Sequence, residues 1–262
     1  MRKILSVLFA IWFYTVSIVL VLLGQPLALV APSALPWYGR LWARMTMLSM
    51  QVCGMKWSVT GLENLPASGP MLIASMHQST FDTLLWFRLV PRVRYIVKAE
   101  LMRIPLFGWL ARLTGQIGVD RGGGSATMRT LLHDGGAALA AGHQVVIFPE
   151  GTRSPPGTIL PLHPGVAALA KRSGLGVIPV VTDSGWCWSK GLFGKSPGII
   201  HVKIMTPLPA GLPRPALMQA LADAFDAGTA SLNAQYHNGP HHNDPHHPVD
   251  KSVNAAAARL HS

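Results

Sequence analysis

The chain has 262 residues, 49% of them hydrophobic, a mean hydropathy of +0.32 and a formal net charge of +11. That length holds one globular domain with a sizeable core plus an appendage, and that hydropathy is high for a protein surrounded by water, so a membrane is implied. The basic excess draws the chain to anionic surfaces, and without a Lys/Arg block, zinc-ligand spacing or aromatic stacking motif it points to phospholipid head groups and away from nucleic acid.

The first element is an uncharged run, Ile4 to Leu23, preceded by Arg2 and Lys3. As a helix it is about 30 Å long, enough to cross the hydrocarbon core. A secretory signal peptide competes, since Ala31-Pro32-Ser33 offers small residues at the cleavage spacing. The apolar run exceeds the roughly 7–15 residues of such a peptide, which favours a retained anchor, transmembrane or re-entrant. From Leu35 to Met55, Trp37, Tyr38, Trp42 and several methionines alternate with Arg40 and Arg44. That mixture suits a helix lying at the interface, joined to the first by a turn around Gln25-Pro26, or else a helix packed on the domain. A single crossing with the basic end inside would put the domain on the far side. A hairpin keeps it on the cytoplasmic side of the inner membrane, where Cys53 and Cys187, too far apart for a disulfide framework or metal motif, fit a reducing compartment.

Beyond Lys56 short apolar runs alternate with helical stretches. Met71–Ala74, Tyr95–Val97, Val145–Phe148, Val177–Val181 and Ile199–Ile204 read as strands; Thr80–Leu89, Pro105–Leu113, Ser125–Ala141, Gly165–Arg172 and Pro215–Leu232 read as helices. The alternation predicts an α/β domain with a mainly parallel sheet flanked by helices, in which ligands gather beyond the carboxyl ends of the strands. The organisation expected is a membrane anchor at 1–55, a catalytic domain at 56–235 and a flexible His-rich tail at 236–262, whose irregularly spaced histidines make no metal site.

Two strand ends carry chemistry. In Met76-His77-Gln78-Ser79-Thr80-Phe81-Asp82 an imidazole and a carboxylate stand five residues apart. Five helical steps turn a side chain about 140° off its starting face, so His77 belongs in the loop before the helix. With Ser79 as N-cap and Asp82 as third helical residue, the carboxylate reaches back to one ring nitrogen of His77 and leaves the other for a substrate hydroxyl. The plain alternative is an ordinary capping box beside a surface histidine. In Phe148-Pro149-Glu150-Gly151-Thr152-Arg153-Ser154, glycine permits a tight turn, the Arg153 fork suits a phosphate, and Glu150 can orient that fork or accept from a polyol hydroxyl. Lys98 and Arg121 add positive charge on intervening loops, and the Pro105–Leu113 helix either lines an acyl path or faces the core.

Taken in order, these blocks resemble the 1-acylglycerol-3-phosphate acyltransferase family over roughly Trp57 to Pro209. His77 and Asp82 match its first motif; Lys98, Glu100, Pro105, Gly108 and Arg121 its second; Phe148 to Arg153 its third; Ile178-Pro179-Val180 its fourth. Met76 stands where the family often has asparagine, and His163 where it often has lysine. The resemblance implies transfer of a fatty acyl group from a coenzyme A or carrier-protein thioester to the sn-2 hydroxyl of lysophosphatidic acid, giving phosphatidic acid without metal or cofactor. It implies His77 as general base held by Asp82, and a substrate site of Lys98, Arg121, Glu150, Gly151, Thr152 and Arg153. Two rivals stay open: acylation of another lysolipid, such as a lyso-ornithine lipid, and a non-catalytic binder of anionic lipid. A hydrolase is disfavoured, because no Gly-x-Ser-x-Gly elbow occurs and Ser79 is committed to capping.

Overall fold

The structure is a computed structural model and describes residues 2–120, 122, 124–191 and 193–237. Two helices come first: α1 (Arg2–Val30) and α2 (Leu35–Ser49), linked by a 3-10 turn over Pro32–Ala34. The α/β part follows as β1 (Met55–Thr60), β2 (Met71–Ser75), α3 (Phe81–Leu89), β3 (Val93–Lys98), α4 (Phe107–Leu113) and β4 (Ile117–Val119). A helix interrupted by one π turn then runs through α5 (Gly124–Thr130) and α6 (Gly136–Ala140). The chain continues with β5 (Gln144–Ile147), α7 (Gly165–Ser173), β6 (Val177–Thr182), α8 (Ser184–Cys187), β7 (Gly198–Ile204) and α9 (Arg214–Leu232).

The seven strands form one sheet in the order β1-β7-β6-β2-β5-β3-β4. Every pairing is parallel except β6 with β7. The central strands β2, β5 and β6 are buried at every residue, as apolar runs covered on both faces must be. Because side chains alternate, Ile73 joins the core under α2 and α3 with Met50, Phe81, Trp86 and Val180, whereas Leu72 and Ala74 join Leu139, Val145, Val166 and Phe225 under α6, α7 and α9. Pro179 is tolerated inside β6 because its carbonyl accepts from Met205 on the β7 side. Its nitrogen faces that same side, so no bond to β2 is lost.

The N-terminal helical hairpin turns later than the sequence suggests. Helix α1 runs through Pro26, where the Gln25 side-chain amide donates to the Val21 carbonyl at 2.7 Å in the turn that receives no N–H from the proline. The bend falls at Ala31 to Ala34, where Pro32 starts the 3-10 turn and Pro36 sits in the first turn of α2. Two edge strands, β1 and β4, went unforeseen. The first begins where the interfacial helix was expected to end, and the second is only three residues long. Of the tail expected at 236–262, residues 236 and 237 close a π turn, Asn233–His237, and the rest lies outside the described residues.

Candidate active site

Three neighbouring strands deliver the site. Ala74 in β2 pairs with Ile147 in β5 and with Pro179 in β6, so β2 and β5 end within one residue of each other while β6 runs on beside them to Thr182. His77 lies three residues past the first of these partners and Glu150 three past the second, both in the crevice that parallel sheets open there.

The Asp82 carboxylate is 2% exposed and has a donor in every direction. Oδ2 accepts from the Gln78 and Ser79 N–H groups at 2.7 Å each and lies 3.2 Å from His77 Nδ1. Oδ1 accepts the Ser184 hydroxyl at 2.7 Å, and Ser184 in turn accepts the Ser79 hydroxyl at 2.8 Å. Ser79 Oγ also accepts from the Phe81 N–H at 3.1 Å. Only half of the expected capping box forms: Asp82 accepts the Ser79 N–H, but Ser79 Oγ takes the Phe81 N–H and not that of Asp82, and because the regular helix begins at Phe81 the N-cap is Thr80 and Asp82 the second helical residue. A carboxylate opposite Nδ1 makes that nitrogen the donor and leaves the lone pair on Nε2, which meets no hydrogen-bond partner among the described residues. The imidazole side chain is 17% exposed. Phe148 stacks on its ring at 4.3 Å between centroids, with Tyr95 stacked behind Phe148 at 6.2 Å.

Glu150 grips the main chain of the same loop. Its Oε2 accepts from the His77 N–H and the Ser154 hydroxyl, both at 3.2 Å, and its Oε1 accepts from the Leu160 N–H at 3.0 Å. Burial raises its carboxyl above the usual range, against the pull of those bonds. The Ser154 N–H donates back to the His77 carbonyl at 2.8 Å. The third-motif loop therefore clamps His77 through its backbone, and Glu150 faces this clamp, away from Arg153.

Arg153 Nη2 donates to Thr80 Oγ1 at 3.0 Å, which puts the guanidinium beside the start of α3, three residues along the chain from His77. Gly151 has φ of +68°, and a Cβ there would stand 2.9 Å from the His163 ring, so turn and close approach both call for glycine. Thr152 is exposed at the loop tip. Lys98 closes β3, two strands from β2, and its ammonium pairs with Glu100 at 2.9 Å, both half-exposed. Arg121 lies outside the described residues. Sequence reasoning missed Ser184, the Ser154 tie and the Phe148 stack; Ser184 follows the Val177–Val181 run much as His77 follows its own, and that parallel was the available signal.

A second imidazole–carboxylate pair, His201 Nδ1 to Asp183 Oδ2 at 2.8 Å, ties β7 to the end of β6. Tyr236 covers its ring at 3.5 Å, which suits a structural tie. Burial pushes the Cys187 thiol up to about 12, which removes it as a nucleophile. The arrangement around His77 therefore supplies a base with an open lone pair and a guanidinium on the adjoining loop, with no covalent intermediate required.

Comparison with known proteins places this geometry. A family model described as Acyltransferase matches residues 56–183. A 1-acyl-sn-glycerol-3-phosphate acyltransferase of Pseudomonas aeruginosa is 37% identical over 164 residues, covering 62% of this chain and 63% of that protein. One from Cocos nucifera is 31% identical over 193 residues, covering 73% of this chain and 60% of the relative. This chain thus spans under two thirds of the length of both curated relatives. A crystal structure of a 1-acyl-sn-glycerophosphate (LPA) acyltransferase from Thermotoga maritima superposes with a TM-score of 0.73 at 24% identity, over 90% of this chain and 99% of that one, so the two share a fold.

Proposed function

The chain belongs to the acyltransferase family through residues 56–183, and from that premise we propose that it transfers a fatty acyl group from a thioester to the sn-2 hydroxyl of lysophosphatidic acid. The observation that carries this reading is the Asp82-held imidazole, whose Nε2 meets no hydrogen-bond partner among the described residues, one short loop from the Arg153 fork. His77 Nε2 takes the hydroxyl proton while the oxygen attacks the thioester carbonyl. The C–S bond of the tetrahedral adduct then breaks, and the departing sulfur receives the proton from the imidazolium. Such assistance contributes about 10²–10⁴ in rate. Arg153, joined by Arg121 and by Lys98 at the end of β3, holds the phosphate so that the hydroxyl meets the base, which turns binding into rate. Coenzyme A and carrier-protein thioesters both satisfy this chemistry.

The protein works at a cytoplasmic membrane face, where such thioesters are made. Helix α1 touches the domain at both ends: the Cys53 thiol donates to the Leu5 carbonyl at 3.4 Å and Phe9 meets Trp188 at 5.0 Å, while Gln25 donates to the Leu106 carbonyl at 3.4 Å. Those contacts are about 30 Å apart along the helix. A helix standing across the bilayer cannot keep both ends on one globular domain, so α1 lies along the membrane with Ile4, Leu8, Ile11, Ile18, Leu22 and Leu29 turned outward. Beside its far end Leu106 has φ of +61° and forms a γ-turn closed by Phe107 N–H to the Pro105 carbonyl at 2.6 Å, which exposes Leu106 and Phe107 next to the same apolar face.

The test is thiol release and product identification with purified protein in mixed micelles, offering lysophosphatidic acid, a lyso-ornithine lipid and larger-headed lysophospholipids, with acyl-coenzyme A or acyl-carrier protein. Phosphatidic acid should dominate and vanish in His77→Ala. Preference for another lysolipid moves the assignment to that acceptor, and lipid binding without thiol release supports the non-catalytic rival. Membrane attachment should survive a high-salt wash that strips an electrostatic binder.

A further inference from the structure

Ser184 is 102 residues from Asp82 in sequence and wholly buried, yet its hydroxyl stands at the centre of the network that holds the carboxylate. It donates to Asp82 Oδ1 at 2.7 Å and accepts from Ser79 Oγ at 2.8 Å, and its own N–H is fixed by Thr182 Oγ1 at 3.1 Å. The next residue adds a second latch: the Gly185 N–H donates to Gln78 Oε1 at 3.1 Å, and a Cβ on Gly185 would sit 2.9 Å from Pro156 and 3.1 Å from that oxygen. The turn after β6 therefore seizes the His77 loop at two points, through the residue before Ser79 and through the carboxylate itself.

We propose that Ser184 is a positioning residue for the reaction, acting through Asp82. The two backbone donors hold Oδ2 alone, at one end of the carboxylate. A donor on Oδ1 holds the other end and adds a second restraint on rotation about the bond to Cβ, so Ser184 tightens the plane in which Oδ2 faces His77 Nδ1. A charge-assisted bond of this kind is about twice as strong as a neutral one and is made in a site without competing water. The hydroxyl is wholly buried and its bonds go to Asp82 and Ser79, so its loss should appear in turnover and not in affinity.

This inference rests on the general-base reading above, and the experiment separates the two. Ser184→Ala and the near-isosteric Ser184→Cys, whose thiol is a weak donor, are assayed beside Asp82→Asn. Expected are a fall in kcat of about tenfold for Ser184→Ala, KM for both substrates within about twofold, and an intermediate kcat for Ser184→Cys, with a thermal melt of each variant to confirm that it is folded at the assay temperature. Should the alanine variant fail to fold, the cysteine variant carries the measurement, and wild-type kcat in it overturns the proposal. Wild-type kcat in a folded Ser184→Ala, or a loss confined to KM, overturns it as well. If Asp82→Asn is itself fully active, the general-base reading has failed first.

Discussion

Replacing Asp82 by asparagine tests the site with little change of shape. The carboxylate now meets four donors, and an amide has one oxygen to offer. Its carbonyl must keep facing the Gln78 and Ser79 N–H groups, or two buried donors go unpaired. Its NH₂ then takes the Oδ1 position against Ser184 Oγ, which can accept once the serine pair reverses its donor direction. The fold should survive, while the negative charge opposite the imidazolium that the proposed proton transfer would form is lost. At 3.2 Å and an effective dielectric of about 20, that attraction is about 5 kcal/mol, equivalent to about a 10³–10⁴-fold loss in kcat at 1.36 kcal/mol per decade. Stopped-time assays of thiol release with saturating acceptor and donor would measure kcat, with a thermal melt in the same detergent as the folding control. An Asp82→Asn enzyme that melts normally and turns over within tenfold of the parent would refute the reasoning, because the carboxylate would then be no more than a helix cap.

Glu150→Gln should lower kcat about tenfold and the melting temperature by a few degrees while leaving KM for the acceptor unchanged, since each placement of the amide strands a buried donor of the clamp and none faces a ligand; a selective rise in KM would restore Glu150 to the substrate site. Arg153→Lys removes a planar fork but keeps the charge, so KM for the acceptor should rise about tenfold with kcat little changed, read from initial rates at varied acceptor. Stability should also fall below neutrality through His143, whose pKa burial and the neighbouring Arg94 lower to about 4. The unfolded chain takes up a proton near 6.5 that the folded chain refuses until about 4, so stability present above 6.5 is lost as pH drops through that window. Melts at several pH values should show the slope flattening in His143→Gln, and an unaltered slope would remove His143 as its source.

Legibility from sequence followed the range of the interactions involved. His77 and Asp82 were legible because both the helix phase and the capping pattern that joins them act within six residues. Buried parallel strands were legible because β2, β5 and β6 must be apolar throughout. What escaped lay between segments. No local rule says that Glu150 turns to the His77 amide and not to the Arg153 guanidinium three residues away, because that choice is made by a loop 73 residues distant. Edge strand β1 half-exposes its residues and pairs with a strand more than a hundred residues later, so its apolar signal merges with the helix before it. The proline in α1 reads as a break, yet α1 is held past it by its packing on α2 and by Gln25. Ser184 belongs to the same class: a serine after a strand carries no signal until the topology sets β6 beside β2 and brings that turn against Asp82. The sheet order therefore completes the site, since β6, β2 and β5 must be adjacent for one imidazole to be held from the carboxylate side by one loop and from the backbone side by another.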